Sequence, residues 1–170
     1  MGFFEIEQKY KLKDPAKVRT ILRKEGAKRV ASGVEMNVFY DRGEFFRKQK
    51  IALRLRRFGK GLATLTLKGP RTQKAHFTKR MEIETPVNFA AAQAFLKFLG
   101  CRVVRQYSKR RELYRFGKAT VTVDFLKKFG WFLEIEGRPQ SIKTIANRLG
   151  FRDGDREERS YVQMLFQWKR

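Results

Sequence analysis

Seven stretches of the chain place charged and apolar residues at alternate positions. In "FFEIEQKYKL", Glu5, Glu7 and Lys9 take one set of positions and Ile6, Gln8 and Tyr10 the other. "ALRLRR" sets Arg54 and Arg56 against Leu53 and Leu55, and "TLTLKG" sets Thr64, Thr66 and Lys68 against Leu65 and Leu67. "KRMEIET" opposes Arg80, Glu82 and Glu84 to Met81 and Ile83, and "SKRREL" places Lys109 and Arg111 together. "TVTVDF" opposes Thr120, Thr122 and Asp124 to Val121 and Val123, and "FLEIEG" opposes Glu134 and Glu136 to Leu133 and Ile135. A period of two is that of a β-strand, whose successive side chains point to opposite faces. The pattern predicts strands over about 3–12, 35–41, 51–58, 62–69, 77–85, 103–116, 118–125 and 130–137. Gly59 and Gly61 in "RRFGKGLA", and Gly117 in "YRFGKAT", predict hairpin turns.

Between the strands the period changes to that of a helix. "DPAKVRTILRKEG" has Asp14 as N-cap, Pro15 at the first helical position, Val18, Ile21 and Leu22 on one face, and Gly26 as a stop. "NFAAAQAFLKFLG" follows the same plan from Asn88 to Gly100, and "SIKTIANRLG" gives a third helix from Ser141 to Gly150. "SYVQMLFQW" predicts a short C-terminal helix. Gly26, Tyr40 and Gly43 recur 74 positions later as Gly100, Tyr114 and Gly117, as do Leu22 and Val30 as Leu96 and Val104. This faint repeat suggests two halves of like design in one pseudo-twofold domain.

For one strand alone, an ordinary wet face explains the alternation better than a site does. Seven strands shift the balance. Arg, Lys, Asp and Glu predominate on the polar faces, where a solvent face would mix in Asn and Gln. The apolar faces must pack against something, and the amphipathic helices supply it. If the sheet closes, the charged faces point into the barrel. Arg54, Arg56, Lys68, Arg80, Lys109 and Arg111 could then grip a phosphate chain from several sides. Glu5, Glu7, Glu82, Glu84, Asp124, Glu134 and Glu136 offer hard oxygen ligands suited to Mg²⁺ or Mn²⁺. Acids would repel a phosphate unless a cation lay between, so the mixture reads as metal–phosphate chemistry. A plain nucleic-acid groove needs bases and aromatic stacking, but no matching set of acids.

The 170 residues suit one domain, and 42% hydrophobic content can fill a core. No segment reaches the ~18 consecutive apolar residues of a membrane span, and Glu5 and Glu7 come too early for a signal peptide. A cytoplasmic protein without a membrane partner is the expectation. The single Cys101 cannot form an internal disulfide and is expected to be buried, and one Cys with one His cannot build a zinc cluster. The net charge of +23 is the dominant global feature and calls for polyanionic partners.

The segment "EIEQK" (Glu5, Glu7, Lys9) resembles the ExExK signature of the CYTH superfamily, the triphosphate tunnel metalloenzymes. "VFYDRG", "ALRLR", "LTLKGP", "KRMEIE", "KRRELY", "VTVDFLKKFGWFLEIEG" and "ERSYVQML" resemble later segments of that family in the same order, nearly end to end. The family includes class IV adenylate cyclases, thiamine triphosphatases, tripolyphosphatases and RNA triphosphatases. The resemblance implies a single tunnel domain over 1–170: an α+β fold with an eight-stranded antiparallel barrel, a charged interior and helices packed outside. It implies that Glu5, Glu7 and Glu134, with Glu136 close by, hold a first divalent metal, Mg²⁺ or Mn²⁺. It implies that Lys9, Arg54, Arg56, Lys68, Lys109 and Arg111 grip the triphosphate, with Arg80 on a phosphate. Asp124, Glu82 and Glu84 are expected to hold a second metal or activate water.

Three functions are weighed. The lead is a metal-dependent triphosphatase acting on tripolyphosphate, thiamine triphosphate or a nucleoside triphosphate, with an RNA 5′-triphosphate as a further substrate. A class IV adenylate cyclase, forming cyclic AMP and pyrophosphate from ATP, would use the same walls. A basic RNA- or polyphosphate-binding protein without turnover fits the charge but not the acids. His76 reads as a surface residue, "DGDREER" as a solvated loop, and Trp131 and Trp168 as packing residues. The chain is expected to be a monomer or a homodimer.

Overall fold

The structure, a computed structural model, describes residues 3–61, 63–74 and 77–166. His76 and Trp168 lie outside these residues. Among the described residues nine strands and five α-helices follow one another as β1 (Phe3–Leu12), α1 (Pro15–Lys24), β2 (Lys28–Asp41), α2 (Phe45–Lys48), β3 (Ala52–Phe58), β4 (Ala63–Lys68), β5 (Thr72–Lys74), β6 (Phe77–Val87), α3 (Phe89–Phe98), β7 (Arg102–Phe116), β8 (Ala119–Leu126), β9 (Gly130–Glu136), α4 (Pro139–Arg148) and α5 (Tyr161–Phe166). All strand pairings are antiparallel, in the order β1-β9-β8-β7-β2-β3-β4-β6, and β1 pairs back onto β6 from Phe3↔Glu82 to Glu7↔Thr78. That last pairing closes an eight-stranded barrel. The short β5 adds to β6 alone, next to the end of β4.

The barrel is apolar outside and charged inside. Val121, Val123, Leu133 and Ile135 on β8 and β9 face outward and pack with Val18 and Leu22 of α1 and Ile142, Ile145 and Ala146 of α4. Val38, Leu53 and Leu55 on β2 and β3 pack with Ala92 and Leu96 of α3 and with the buried Cys101. The Asp14 carboxylate accepts from the Lys17 amide at 2.9 Å, so it caps α1 as its position predicts, and Asn88 caps α3 in the same way through Ala91.

The fifth helix departs from the expected plan. On β8 and β9 the inward face turns apolar at Leu126 and Phe132, just beyond Asp124 and Glu134. Tyr161 and Met164 of α5 pack onto these two residues. The C-terminal helix therefore plugs one end of the barrel instead of lying outside it. The opposite end, where β1 begins and β9 ends, has no such helix among the described residues.

The repeat in the sequence has a structural counterpart. β1–α1–β2 corresponds to β6–α3–β7. Gly26 and Gly100 both end a helix with left-handed φ (81° and 77°), where a side chain would be strained. Tyr40 and Tyr114 are both buried, and β2 and β7 pair along nearly their whole lengths.

Candidate active site

Inside the barrel lies a cavity of about 770 Å³, within the range of small-molecule sites. Its lining includes Glu5, Glu7, Lys9, Arg54, Arg56, Lys68, Arg80, Glu82, Glu84, Lys109, Arg111, Glu134 and Glu136. The period of two is the cause: each of these side chains projects from the same face of its strand. Thus seven bases of the predicted site meet six of its acids in one space. Asp124, the remaining predicted residue, is on the inner face too but is fully buried beneath Lys109, Arg111 and Tyr161 and does not line the cavity.

In this state the bases and acids neutralise one another. The Lys68 ammonium sits between Glu5 at 2.6 Å and Glu82 at 2.9 Å. Arg56 bonds Glu84 at 2.7 Å, and Arg54 lies 3.7 Å from Glu82. Lys9 reaches Glu134 at 3.2 Å. Arg111 donates to Asp124 through Nε and Nη2 at 2.7 and 2.6 Å, to Glu134 at 2.7 Å and to Glu35 at 3.2 Å. Lys109 donates to Asp124 at 2.8 Å. The Tyr161 hydroxyl also donates to Asp124 at 2.8 Å, and the Lys9 and Lys109 ammoniums lie 4.1 and 4.3 Å from the centre of the Tyr161 ring.

The acids fall into two electrostatic groups. Burial favours protonation of Glu134, but Lys9, Lys109 and Arg111 outweigh it and hold the carboxyl well below the usual range. Glu5, Glu7 and Glu136 behave oppositely. Burial raises all three against the lowering pull of Lys68; Glu82 adds to it at Glu5, Glu134 and Glu5 at Glu7, and Glu5 and Glu7 at Glu136, which reaches about 7. The register places Glu7 directly opposite Glu136 across β1 and β9. Like charges directly opposite are destabilising. Three crowded carboxylates with hard oxygen donors suit a divalent cation, so the donor set fits Mg²⁺ or Mn²⁺ chemically. As placed, no three carboxylates among the described residues converge to metal-ligand distance, and Lys68 holds the ground between Glu5 and Glu82.

Four buried polar atoms among the described residues have no hydrogen-bond partner: Asn37 Oδ1, Thr122 Oγ1, Arg54 Nε and Arg80 Nε. All belong to inward-facing residues. The two guanidinium donors belong to residues that line the cavity, and both guanidiniums bond elsewhere through Nη2, Arg54 to Thr66 and Arg80 to the Gly69 carbonyl.

Sequence reasoning missed several residues that complete it. Glu35 and Asn37 are buried on the inner face of β2, and Glu35 faces Lys109 and Arg111. The signal for them exists, because "VEMNVFYD" alternates like the other seven stretches. Tyr161 and Arg71 have no such signal, since each reaches the cavity from outside the barrel strands. Phe39, Ile51, Val104 and Tyr107 form an apolar wall beside Arg47 and Lys50, at the end where α2 lies.

Comparison with known proteins agrees with this architecture. The family model described as the CYTH domain matches residues 4–161. A protein of Methanocaldococcus jannaschii, provisionally named an adenylate cyclase, is 32% identical over 136 residues, covering 78% of this chain and 75% of that one. A Vibrio parahaemolyticus structure, also provisionally named an adenylate cyclase, superposes with a TM-score of 0.86 at 25% identity, covering 97% of this chain and 99% of that one. A Hippeastrum protein described as an adenylyl cyclase with a dominant triphosphatase activity shares the fold, with a TM-score of 0.77 at 16% identity over 98% and 97% of the two chains. The barrel, the inward charges and the family match over most of its length agree: the chain belongs to the CYTH domain family.

Proposed function

We propose that the protein is a divalent-metal-dependent triphosphatase that cleaves a phosphoanhydride of a triphosphate held in the barrel. The observation that carries this reading is the convergence of seven bases on one cavity, where several are paired with acids of the same site. A phosphate chain would compete with those acids for the bases. Lys9, Arg54, Arg56, Lys68, Arg80, Lys109 and Arg111 surround the cavity, so a bound chain is held from several walls at once. Such positioning and charge stabilisation supply most of the catalysis in phosphoryl transfer.

Glu5, Glu7, Glu134 and Glu136 are the residues that would hold Mg²⁺ or Mn²⁺. When bound, such an ion neutralises phosphate oxygens and lowers the pKa of a coordinated water. Lys68 would leave Glu5 and Glu82 and turn to phosphate. Glu82 and Glu84 would then orient the attacking water and accept its proton. Asp124 takes a different part in this reading. It fixes Lys109, Arg111 and Tyr161 from beneath them, and so acts as a positioning residue.

A class IV adenylate cyclase is the second reading. The provisional names of the M. jannaschii and V. parahaemolyticus proteins favour it, as does the apolar wall of Phe39, Ile51, Val104 and Tyr107, which could receive a base. Incubation with tripolyphosphate or ATP and Mg²⁺ or Mn²⁺ tests both. Orthophosphate release is expected, and cyclic AMP with pyrophosphate would instead establish the cyclase. Replacing Glu5 and Glu7 by alanine should lower turnover by at least about a hundredfold, the scale of losing a major electrostatic group. Undiminished phosphate release would remove the metal assignment.

A further inference from the structure

The charge of the molecule is divided unevenly between inside and outside. Eleven bases line the cavity, the seven named above with Arg47, Lys50, Arg71 and Arg105, and nine acids face them, the six that line it with Asp41, Glu35 and Asp124. The interior is therefore close to neutral, and nearly all of the net charge of +23 lies outside it. Gripping a triphosphate does not account for that excess.

Part of the excess is concentrated at the unplugged end of the barrel. Lys28 and Arg115 are direct cross-strand partners where β2 meets β7. Like charges in that position repel, and both side chains are exposed. Lys118 occupies the adjoining β7–β8 turn. Gly137 approaches Ala119 closely enough that an added Cβ would lie 3.2 Å from the Ala119 Cβ, which brings Arg138 beside Lys118. Among the described residues, Lys28, Arg115, Lys118 and Arg138 form no salt bridge with an acid. Thr120 and Glu136, one step inward on the same strands, line the cavity. The four cations thus lie just beyond the lining at this end.

We propose that this rim binds the sugar–phosphate backbone of single-stranded RNA, independently of any 5′-triphosphate. A track of cations without acids paired to them is the footprint of backbone binding. A lipid surface would require apolar residues beside the cations. At this end the large exposed apolar side chains are Phe4 and Val30, a smaller set than Phe95, Phe98, Leu99 and Val103, which cluster where α3 runs into β7, at the other end of the strands.

The test uses a fluorescent 5′-hydroxyl RNA of about 20 nucleotides, which offers a backbone but no triphosphate. Binding should weaken with salt, following a linear log–log plot. In the variant K28Q/R115Q/K118Q the slope should become shallower by roughly 2, at about 0.7 for each phosphate the variant no longer neutralises. The kcat of tripolyphosphate hydrolysis by the same variant, measured at saturating substrate, should stay at the wild-type value, because none of the three residues lines the cavity. Wild-type binding by the variant, or no binding of this RNA at about 50 mM salt, would overturn the proposal. So would binding to vesicles containing anionic phospholipid without binding to RNA. Displacement of the RNA by tripolyphosphate with an unaltered slope in the variant would place the RNA in the barrel and reject the rim. A failure of hydrolysis in the wild type would count against the triphosphatase reading alone.

Discussion

Glu35 shows how a single buried acid shapes this interior. Its burial alone would raise the carboxyl, but Lys109, Arg111, Arg54 and Arg56 outweigh that cost and hold it below the usual carboxylate range. A group whose folded pKa is depressed stabilises the fold fully above its unfolded pKa, about 4.3, and loses that contribution as the pH falls toward the folded value. Glu35→Gln should therefore cost about 3 kcal/mol near pH 7, the scale of breaking a buried ion pair. The gap between wild type and variant should narrow as the pH drops below about 4. Thermal melts of both proteins from pH 3 to 7 measure it. A gap that stays constant over this range would mean that Glu35 is not an ionised partner of Lys109 and Arg111. Residues of this kind were partly legible. Glu5, Glu7 and Lys9 announced themselves by alternation, whereas Glu35 lay in an equally regular segment whose polar face includes Asn37 and Phe39 and so reads as less charged.

Elements were legible where a local period governs them and obscure where pairing does. β1, β3, β4, β8 and β9 appear within one or two residues of their predicted bounds. β2 begins at Lys28 and not at 35, because a register shift between Arg29 and Ala31 breaks the alternation and Gly33 weakens it. β5 has only three residues and exists through its pairing with β6. α2 spans one turn and is held by Asp41, whose carboxylate accepts from the Arg42, Phe46 and Arg47 amides. α4 starts at Pro139, two residues before its predicted start, as Pro at the first helical position allows. The placement of α5 could not be read locally, since it depends on Leu126 and Phe132 meeting Met164 across the chain. If α5 is a true plug, Met164→Ala should cost about 2–4 kcal/mol, as in other buried large-to-small changes. Urea denaturation measures the loss, and a change below about 0.5 kcal/mol, the scale of surface substitutions, would show that the helix merely rests on the surface.

At the scale of the whole molecule, a near-neutral tunnel inside a strongly basic shell separates capture from chemistry. Contacts inside the barrel are partly buried and act over short distances, so added salt screens them little. The outer charge acts over roughly a Debye length, about 10 Å at 0.1 M salt, and can draw a polyanion toward the mouth before any contact forms. The two effects enter different kinetic constants. Capture governs kcat/KM, and the pairing of phosphate with Arg54, Arg80 and their neighbours governs kcat at saturation. Raising NaCl from about 0.05 to 0.5 M at fixed free metal should therefore lower kcat/KM for tripolyphosphate by roughly tenfold or more, the lower end of electrostatic steering effects. The value of kcat should change by less than about twofold, since the interior pairs are poorly screened. A parallel fall of both constants would place the salt-sensitive charges inside the tunnel. A flat kcat/KM would mean that the shell plays no part in substrate capture. The second result would leave the charge of +23 to a partner other than the small substrate, for which the rim of Lys28, Arg115, Lys118 and Arg138 is the place to look.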